Sequence, residues 1–229
     1  MRILIACEES QRVCCAFRAK GHEAYSCDIV DCSGGHPEWH IKQDVIPLIN
    51  GDCEFETCDG TKHDIKGQWD MIIAHPPCTY LTNAATRAFS LKATPAEKVV
   101  KRWDNRAKAA VFFMHFALAN CDKIAIENPV GYMSTAYKKP DQIINPYQFA
   151  ESERDSENYV TKRTCLWLKG LPKLKTNNLP KPYLEKYFSS YSNSYKSKTW
   201  CEYSHFGKKS VERSKTFPAV AKAMAEQWG

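Results

Sequence analysis

No stretch of the sequence approaches the roughly 18 consecutive apolar residues that a membrane-spanning helix needs, so a transmembrane protein is excluded. The apolar start, MRILIACEES, ends at Glu8 and Glu9, which favours a first β-strand over a signal peptide. Without an export signal, the 11 cysteines are interpreted as reduced cytoplasmic thiols, mostly small core residues. No metal site is expected, because Cys53, Cys58 and His63 match no common ligand spacing and fit a β-hairpin better.

Acidic residues are scarce between Lys162 and Lys215. This stretch holds 13 Lys or Arg against 3 Asp or Glu, a balance of +10, while the whole chain carries +6 and the remainder therefore −4. It also contains nine aromatic residues: Trp167, Tyr183, Tyr187, Phe188, Tyr191, Tyr195, Trp200, Tyr203 and Phe206. Basic residues interleaved with aromatic ones favour a nucleic acid or nucleotide partner, whose bases can stack. The alternative is a solvated basic surface loop.

The length of 229 residues suits one domain, and no internal repeat is present. Apolar runs predict strands over 2–7, 23–28, 69–74, 123–126 and 164–168, a short third element ending at 44, and a hairpin over 53–66 with a two-residue turn at Asp59-Gly60. Helical periodicity predicts helices over 10–20, from an N-cap at Thr94 to about 120, and over 215–228.

This alternation of strands and helices predicts an α/β fold with a doubly wound, mostly parallel sheet. Residues 1–168 and 212–229 are expected to form the main domain. Residues 169–211 are expected to form a small irregular insert, because they are basic and aromatic and lack clear periodicity.

Polar residues follow the predicted strands where each one ends. They are Cys7-Glu8-Glu9-Ser10, Asp28, Asp44, Pro76-Pro77-Cys78 and Glu127-Asn128-Pro129. In open α/β sheets, ligands bind outside the carboxyl ends of the strands, and an acid after the second strand commonly holds a ribose hydroxyl. Asp28 and Asp44 together therefore favour a cofactor that contains adenosine.

Cys78 and Glu127 carry the most specific chemistry. A thiolate that adds to carbon 6 of a pyrimidine makes carbon 5 nucleophilic, and a carboxyl group kept partly protonated by burial stabilises the adduct at ring N3. Carbon 5 can then attack an electrophilic methyl group. The alternatives are a buried loop thiol at position 78 and a surface acid at position 127, but the two motifs PPC and ENP each follow an apolar strand.

The chain resembles the cytosine 5-methyltransferase family, and in particular a compact branch common in phages and prophages. AHPPCTYL resembles the family's prolyl-cysteine loop and ENPVGYMS its glutamate loop. TKRTCLWLKGLPKL resembles the strand with the basic motif, and TFPAVAKAMAEQWG the last helix. The resemblance implies a Rossmann-like methyltransferase fold, S-adenosylmethionine as cofactor, and DNA or a pyrimidine nucleotide as substrate. A monomer is favoured, in the cytoplasm (of the host cell for a phage protein).

The resemblance also implies roles for individual residues. Catalysis is expected from Cys78 as nucleophile, Glu127 as partner of ring N3, and Arg163. Cofactor contacts are expected from Cys7, Glu8, Glu9, Ser10, Asp28, Ile29, Asp44, Val45 and Pro76. Substrate contacts are expected from Pro77, Thr79, Asn128, Pro129 and Lys162.

Three features depart from the family pattern. The first loop, CEESQRV, lacks the family's glycines, and Glu9 could instead receive the amino group of the cofactor. The basic motif reads Thr161, Arg163 and Cys165, so its second arginine is missing and Lys162 or Arg163 would substitute. The recognition region has only about 45 residues, which suits either a minimal DNA clamp or a substrate smaller than duplex DNA.

Three other interpretations remain. An amino-group methyltransferase carries an Asn/Asp-Pro-Pro-aromatic loop, but this chain has His75 and Cys78 at the two outer positions. A nucleic-acid-binding protein with an inactive cofactor pocket would explain the missing glycines, and the retained Cys78 and Glu127 oppose it. A third possibility keeps the cysteine chemistry and transfers a group other than methyl.

Overall fold

The computed structural model describes residues 1–183 and 214–229, together with the backbone of 186–189 and 194–197. The strands are β1 (Arg2–Ala6), β2 (Glu23–Asp28), β3 (His40–Lys42), β4 (Cys53–Glu56), β5 (Lys62–Ile65), β6 (Met71–Ala74), β7 (Ile124–Pro129), β8 (Gln142–Ile144), β9 (Thr164–Lys169), β10 (Lys186–Ser189) and β11 (Ser194–Ser197). The helices are α1 (Arg12–Arg18), α2 (Ala96–Ala117), α3 (Met133–Ala136) and α4 (Pro218–Trp228).

Seven strands form one sheet in the order β3-β2-β1-β6-β7-β9-β8. The pairs from β3 to β7 are parallel, and β9 runs antiparallel to both of its neighbours. The predicted α/β fold with a mostly parallel sheet is confirmed. Because the chain leaves β1 towards β2 and returns to its other side at β6, the strand order reverses between β1 and β6, and a crevice is expected there.

Alternate residues of the central strands feed two cores on opposite faces of the sheet. Ile3 and Ile5 of β1 belong to the core under α1 and α4, whereas Leu4 and Ala6 belong to the core under α2. All four side chains are fully buried. Strands covered on both faces read as continuous apolar runs, which is the pattern of RILIA and MIIA.

The start of α2 and the hairpin turn differ from the predictions. Helix α2 has Pro95 rather than Thr94 at its N-cap, without a side-chain cap. The hairpin of β4 and β5 exists, but its connection spans 57–61, because the Thr57 amide donates to the carbonyl of Thr61 and closes a longer loop. Both differences concern the ends of elements, where local side-chain bonds compete with regular backbone pairing.

Glu127-Asn128-Pro129, predicted as a loop after a strand, forms the last part of β7. These residues pair with Leu166, Cys165 and Thr164 of β9, respectively. The antiparallel partner extends the strand, and the sequence of β7 alone does not reveal it. As a result the Glu127 backbone is held by its pairing with Leu166 of β9.

The start of the predicted insert packs on the main body. Leu174 is buried, and its backbone exchanges two hydrogen bonds of 2.8 Å with the side chain of Gln142 in β8. The indole nitrogen of Trp228 in α4 donates to the carbonyl of Pro172 at 2.9 Å. Backbone pairing joins β10 to β11, and the rest of the insert lies outside the described residues. No helix within the described ranges has the length and apolar character needed to span a bilayer.

Candidate functional site

A cavity of about 710 Å³ opens at the carboxyl ends of β1, β2 and β6, where the strand order reverses. This volume is typical of a small-molecule site. The cavity is lined by Cys7, Glu8, Glu9, Ser10, Asp28, His75, Pro77, Cys78, Thr79, Thr82, Ala84, Ala85, Arg102, Ser214, Lys215 and Thr216. Eight of the predicted site residues are therefore brought to one place by the sheet.

The loop after β1 closes without glycine. Cys7 and Gln11 have positive φ angles of 59° and 57°, a left-handed conformation that costs a non-glycine residue free energy. The fully buried Gln11 side chain donates to the carbonyl of His36 at 2.8 Å and accepts from its amide at 3.1 Å. These bonds offset the strain and hold the loop against residues 33–36.

The closeness of this contact explains a glycine in the facing segment. A Cβ atom on Gly34 would lie 2.6 Å from the Cβ of Gln11 and 2.7 Å from the carbonyl oxygen of Ser10. The amide of Ser33 also donates to the carbonyl of Glu9 at 2.8 Å. The glycine needed for a close backbone approach therefore stands in the partner segment.

Glu8 and Glu9 have different environments. The buried Glu8 carboxylate accepts from the amides of Val13 and Cys14 at 2.7 and 3.1 Å, so it caps α1. This cap explains why α1 begins at Arg12 and not at the predicted Ser10. Burial raises the pKa of Glu8 despite these bonds. One oxygen of Glu9, Oε1, is buried without a hydrogen-bond partner among the described residues.

Asp28 and Asp44 are placed differently. Asp28 lines the cavity, and the apolar Ile29 beside it is 74% exposed. Asp44 is exposed, does not line the cavity, and accepts from the amide of Ile46 at 3.0 Å. The adjoining Val45 is buried in the core beneath it. Burial raises the pKa of the Cys7 thiol, and the charges of the two aspartates raise it further.

The loop after β6 is fixed at both ends. Pro76 is buried, Pro77 is exposed and Cys78 is half-buried at the cavity. The carbonyl of Cys78 accepts from the amides of Leu81 and Thr82, both at 2.9 Å, which forms a tight turn directly after the cysteine. Two stiff proline φ angles before the thiol and a closed turn after it limit its freedom.

Two arginines of α2 bind the backbone that follows Cys78. The Arg106 Nε atom donates to the carbonyl of Tyr80 at 2.9 Å, and Arg102 Nη2 lies 3.3 Å from the carbonyl of Thr79. Arg102 also lines the cavity, and its Nε atom is buried without a hydrogen-bond partner among the described residues. A cationic group therefore lines the same cavity as Glu8, Glu9 and Asp28.

His75 connects this cavity to Glu127. The His75 Nδ1 atom lies 2.8 Å from Oε2 of Glu127, and the two side chains are only 9% and 14% exposed. Glu127 lines an adjoining cleft with Lys162 and Thr164, and Thr216 lines both spaces. Cys78 and Glu127 thus do not line one common cavity, whereas His75 lines the cavity of Cys78 and bonds Glu127.

The pKa of Glu127 is shifted in the opposite direction to the one expected for a carboxyl group kept partly protonated by burial. Burial does favour the neutral form, but the hydrogen bond and charge of His75, together with Lys162, outweigh it, and the pKa of Glu127 is lowered. Burial alone would lower the pKa of His75, and Glu127 and Glu8 raise it overall. Both shifts favour the charged forms of the pair, an imidazolium and a carboxylate.

Lys162 and Arg163, the predicted basic residues, face different surroundings. Lys162 lines the cleft with Glu127 and acts electrostatically on both Glu127 and His75. Arg163 is exposed and lines neither space, and its charge acts on Cys165. Asn128 is buried and donates to the carbonyl of Pro76, while Pro129 ends β7.

Reasoning from the sequence did not assign a role to His75 or Arg102. The sequence signal for a role of His75 was its position between a strand and two prolines at the carboxyl edge of the sheet.

Within the described part of the chain, no three His, Cys, Asp or Glu side chains are arranged to hold a metal ion. His63, considered with Cys53 and Cys58, instead bonds the hydroxyl groups of Tyr25 and Thr57.

Comparison of the chain with family models finds no matching model, and comparison with curated proteins finds no match.

Proposed function

We propose that the protein transfers a methyl group from S-adenosylmethionine to carbon 5 of cytosine through a covalent adduct with Cys78. The observation that carries this proposal is the placement of Cys78 and His75 in one cavity, with Glu127 bonded to His75 behind it. The reversal of strand order at this cavity is compatible with the Rossmann-like fold that the family resemblance implies. A cytoplasmic location, in the host cell for a phage protein, belongs to the same proposal.

The residues around the cavity fit the cofactor. S-adenosylmethionine supplies an electrophilic methyl group when bound, and its sulfonium and amino groups are positive. Glu8, Glu9 and Asp28 make one wall acidic, and the unpartnered Oε1 of Glu9 suits an amino group. Asp28 suits ribose hydroxyls, and the exposed Ile29 offers an apolar surface for a planar ring.

The residues of the chain divide the reaction between them. Cys78 Sγ forms a bond to carbon 6 of the ring as a thiolate, and the electron pair of the 5,6 double bond moves to carbon 5. The pair of His75 and Glu127 supplies the proton that neutralises the ring at N3. The prolines before Cys78 and the turn after it hold the thiol in place for this addition.

DNA is the favoured substrate, and a free pyrimidine nucleotide or a single strand is the alternative. Arg102 in the wall beside Cys78 and Thr79 suits the phosphate that all three share. The surplus of Lys and Arg from 162 to 215 supports a polyanion, although most of that stretch lies outside the described residues.

The test is a trap for the covalent adduct. The protein is incubated with S-adenosylmethionine and 5-fluorocytosine in duplex, single-stranded or nucleotide form, and mass spectrometry locates any adduct. Release of Cys78 requires loss of the proton on carbon 5. Fluorine takes the place of that proton, so the adduct is expected to persist on Cys78. Cys58→Ser, at an exposed cysteine outside the cavity, is the matched control. If no substrate form yields an adduct on Cys78, the proposal is wrong.

A further inference from the structure

His75 occupies the position from which a side chain can reach both the cavity and Glu127. It directly follows β6, and its backbone amide donates to the carbonyl of Ala6 at the end of β1. Its Nδ1 atom is bonded to Glu127 at 2.8 Å. The ring is thereby fixed in place by the sheet on one side and by a carboxylate on the other.

The second ring nitrogen of His75 has no hydrogen-bond partner among the residues that the structure describes. Nε2 is buried, makes no hydrogen bond to any described residue, and belongs to a side chain that lines the cavity with Cys78. An unsatisfied buried polar atom is unfavourable and marks a place where a ligand can bind. A bound group that accepts a hydrogen bond from Nε2 would remove this cost.

Charges from three elements act on the imidazole. Glu127 of β7 bonds it directly, Glu8 after β1 is the second carboxylate near it, and Lys162 before β9 opposes them. The two carboxylates outweigh both Lys162 and burial, so the pKa of His75 is raised, which favours the protonated ring. In the protonated ring, Nε2 carries a hydrogen and is a donor on a side chain that lines the cavity.

Glu127 is poorly suited to donate a proton itself. A carboxyl group of ordinary pKa is protonated in fewer than about 1 in 100 molecules at neutral pH. The imidazolium lowers the pKa of Glu127 further, and Glu127 does not line the cavity that holds Cys78. The two pKa shifts therefore favour the proton on His75.

We propose that His75 is the catalytic acid, giving the proton on Nε2 to ring N3 of the cytosine as Cys78 adds to carbon 6, and that Glu127 is the positioning residue that orients the imidazole. This inference rests on the proposed function. It assigns the proton donation to a residue that lines the cavity with Cys78 and bonds Glu127.

The proton balance of this step is complete. The Cys78 thiolate forms the bond to carbon 6, the 5,6 electron pair moves to carbon 5, and N3 takes the proton from Nε2. His75 becomes neutral and keeps its Nδ1 hydrogen on Glu127. After carbon 5 has taken up a methyl group, or a solvent proton in the exchange reaction, it loses its original proton to water. The bond to sulfur then breaks with its electron pair returning to Cys78, and Nε2 recovers the proton from N3.

Hydrogen exchange at carbon 5 tests the step without the cofactor. Addition of Cys78 makes carbon 5 exchange with solvent, so release of tritium from 5-tritiated cytosine in DNA and in the nucleotide measures the adduct. His75→Asn keeps a donor near the Nδ1 position but cannot titrate. His115→Asn, at an exposed histidine on α2, is the matched control.

The expected result is a wild-type exchange rate that falls as the pH rises through the raised pKa of His75. The exchange rate of His75→Asn is expected to be lower by about 100-fold or more, and its fall at alkaline pH is expected to be absent. In Glu127→Gln, the fall in exchange rate is expected to occur at lower pH, because the variant removes the charge that favours a protonated His75. If His75→Asn keeps the wild-type exchange rate and its pH dependence, only the assignment of His75 as the acid is wrong. If the wild-type protein shows no exchange, both this assignment and the proposed function are wrong.

A second measurement does not depend on a variant that folds or on activity. Titration of the His75 ring followed by nuclear magnetic resonance in the wild-type protein is expected to give a pKa above the ordinary value of about 6.5. A pKa at or below that value would leave the ring neutral at the working pH and would overturn the inference.

Discussion

The side-chain amide of Asn128 donates a hydrogen bond of 2.7 Å to the backbone carbonyl of Pro76. Both residues are buried, and they stand next to Glu127 and His75, respectively. This bond ties the end of β7 to the loop after β6, so it fixes the distance between the two members of the ion pair. Asn128 therefore has a structural reason to follow the glutamate.

Asn128→Ala is expected to destabilise the protein by about 1–3 kcal/mol, because the buried carbonyl of Pro76 loses its partner. The exchange rate at carbon 5 is expected to fall as well, since the loop of Cys78 is less well held. Denaturant unfolding and the exchange assay measure the two effects. Asn178→Ala, at an exposed site, is the control. Equal stability of the two variants would show that this bond is unimportant.

The ion pair of His75 and Glu127 predicts a pH dependence of stability. The raised pKa of His75 means that its contribution is fully present below about pH 6.5 and is lost as the pH rises through the folded value. The lowered pKa of Glu127 means that its contribution is present above about pH 4.3 and is lost as the pH falls through the folded value.

The difference in unfolding free energy between wild type and His75→Asn is therefore expected to be largest at mildly acidic pH and to shrink at alkaline pH. Denaturant unfolding at several pH values measures it. A difference that grows with alkaline pH would contradict an imidazolium in the folded protein.

Cys78→Ser is expected to remove turnover while changing stability by less than about 1 kcal/mol, because the side chain is half-buried at a cavity and not packed in the core. Methyl transfer and thermal unfolding are measured on the same preparation. Cys121→Ser, at a buried cysteine, is expected to show the opposite pattern, with lower stability and retained turnover at low temperature. Full turnover in Cys78→Ala would end the covalent route.

Gly34→Ala is expected to weaken binding of S-adenosylmethionine, because the added methyl group would push Ser10 and Gln11 out of position. Calorimetric binding and denaturant unfolding measure the effect. Gly35→Ala is the neighbouring control, since its φ angle of +85° causes strain but a Cβ there would meet no atom within 4 Å. If the two variants bind S-adenosylmethionine with equal affinity, the loop after β1 does not contribute to cofactor binding.

Arg102→Gln is expected to weaken binding of deoxycytidine 5′-monophosphate about 10-fold or more, since a charge-assisted bond to phosphate is lost. Binding of deoxycytidine, which lacks the phosphate, is expected to change little. Lys101→Gln, exposed on the same helix, is the control. If Arg102→Gln weakens the binding of both ligands equally, Arg102 does not bind the phosphate and only holds the loop after Cys78 in place.

Much of the fold could be predicted because its signals are local. Continuous apolar runs predicted β1, β6 and β7, and helical periodicity predicted α2 and α4. The placement of Cys78 at the carboxyl edge followed from the direction of β6, since parallel strands end together. The antiparallel extension of β7 and the longer hairpin turn depended on partner segments, and their sequences carry no local mark of this pairing.

The candidate site shows the same division. The sequence by itself determined which reactive side chains stand at the ends of strands, because strand direction is set by the apolar pattern. Only the tertiary structure decided that His75 bonds Glu127 across 52 positions of the chain, that Lys162 and not Arg163 lines the cleft with Glu127, and that Gln11 takes a left-handed turn against His36. The physical reason is that burial and charge act between residues made neighbours by sheet pairing, and these forces set the protonation state of the pair.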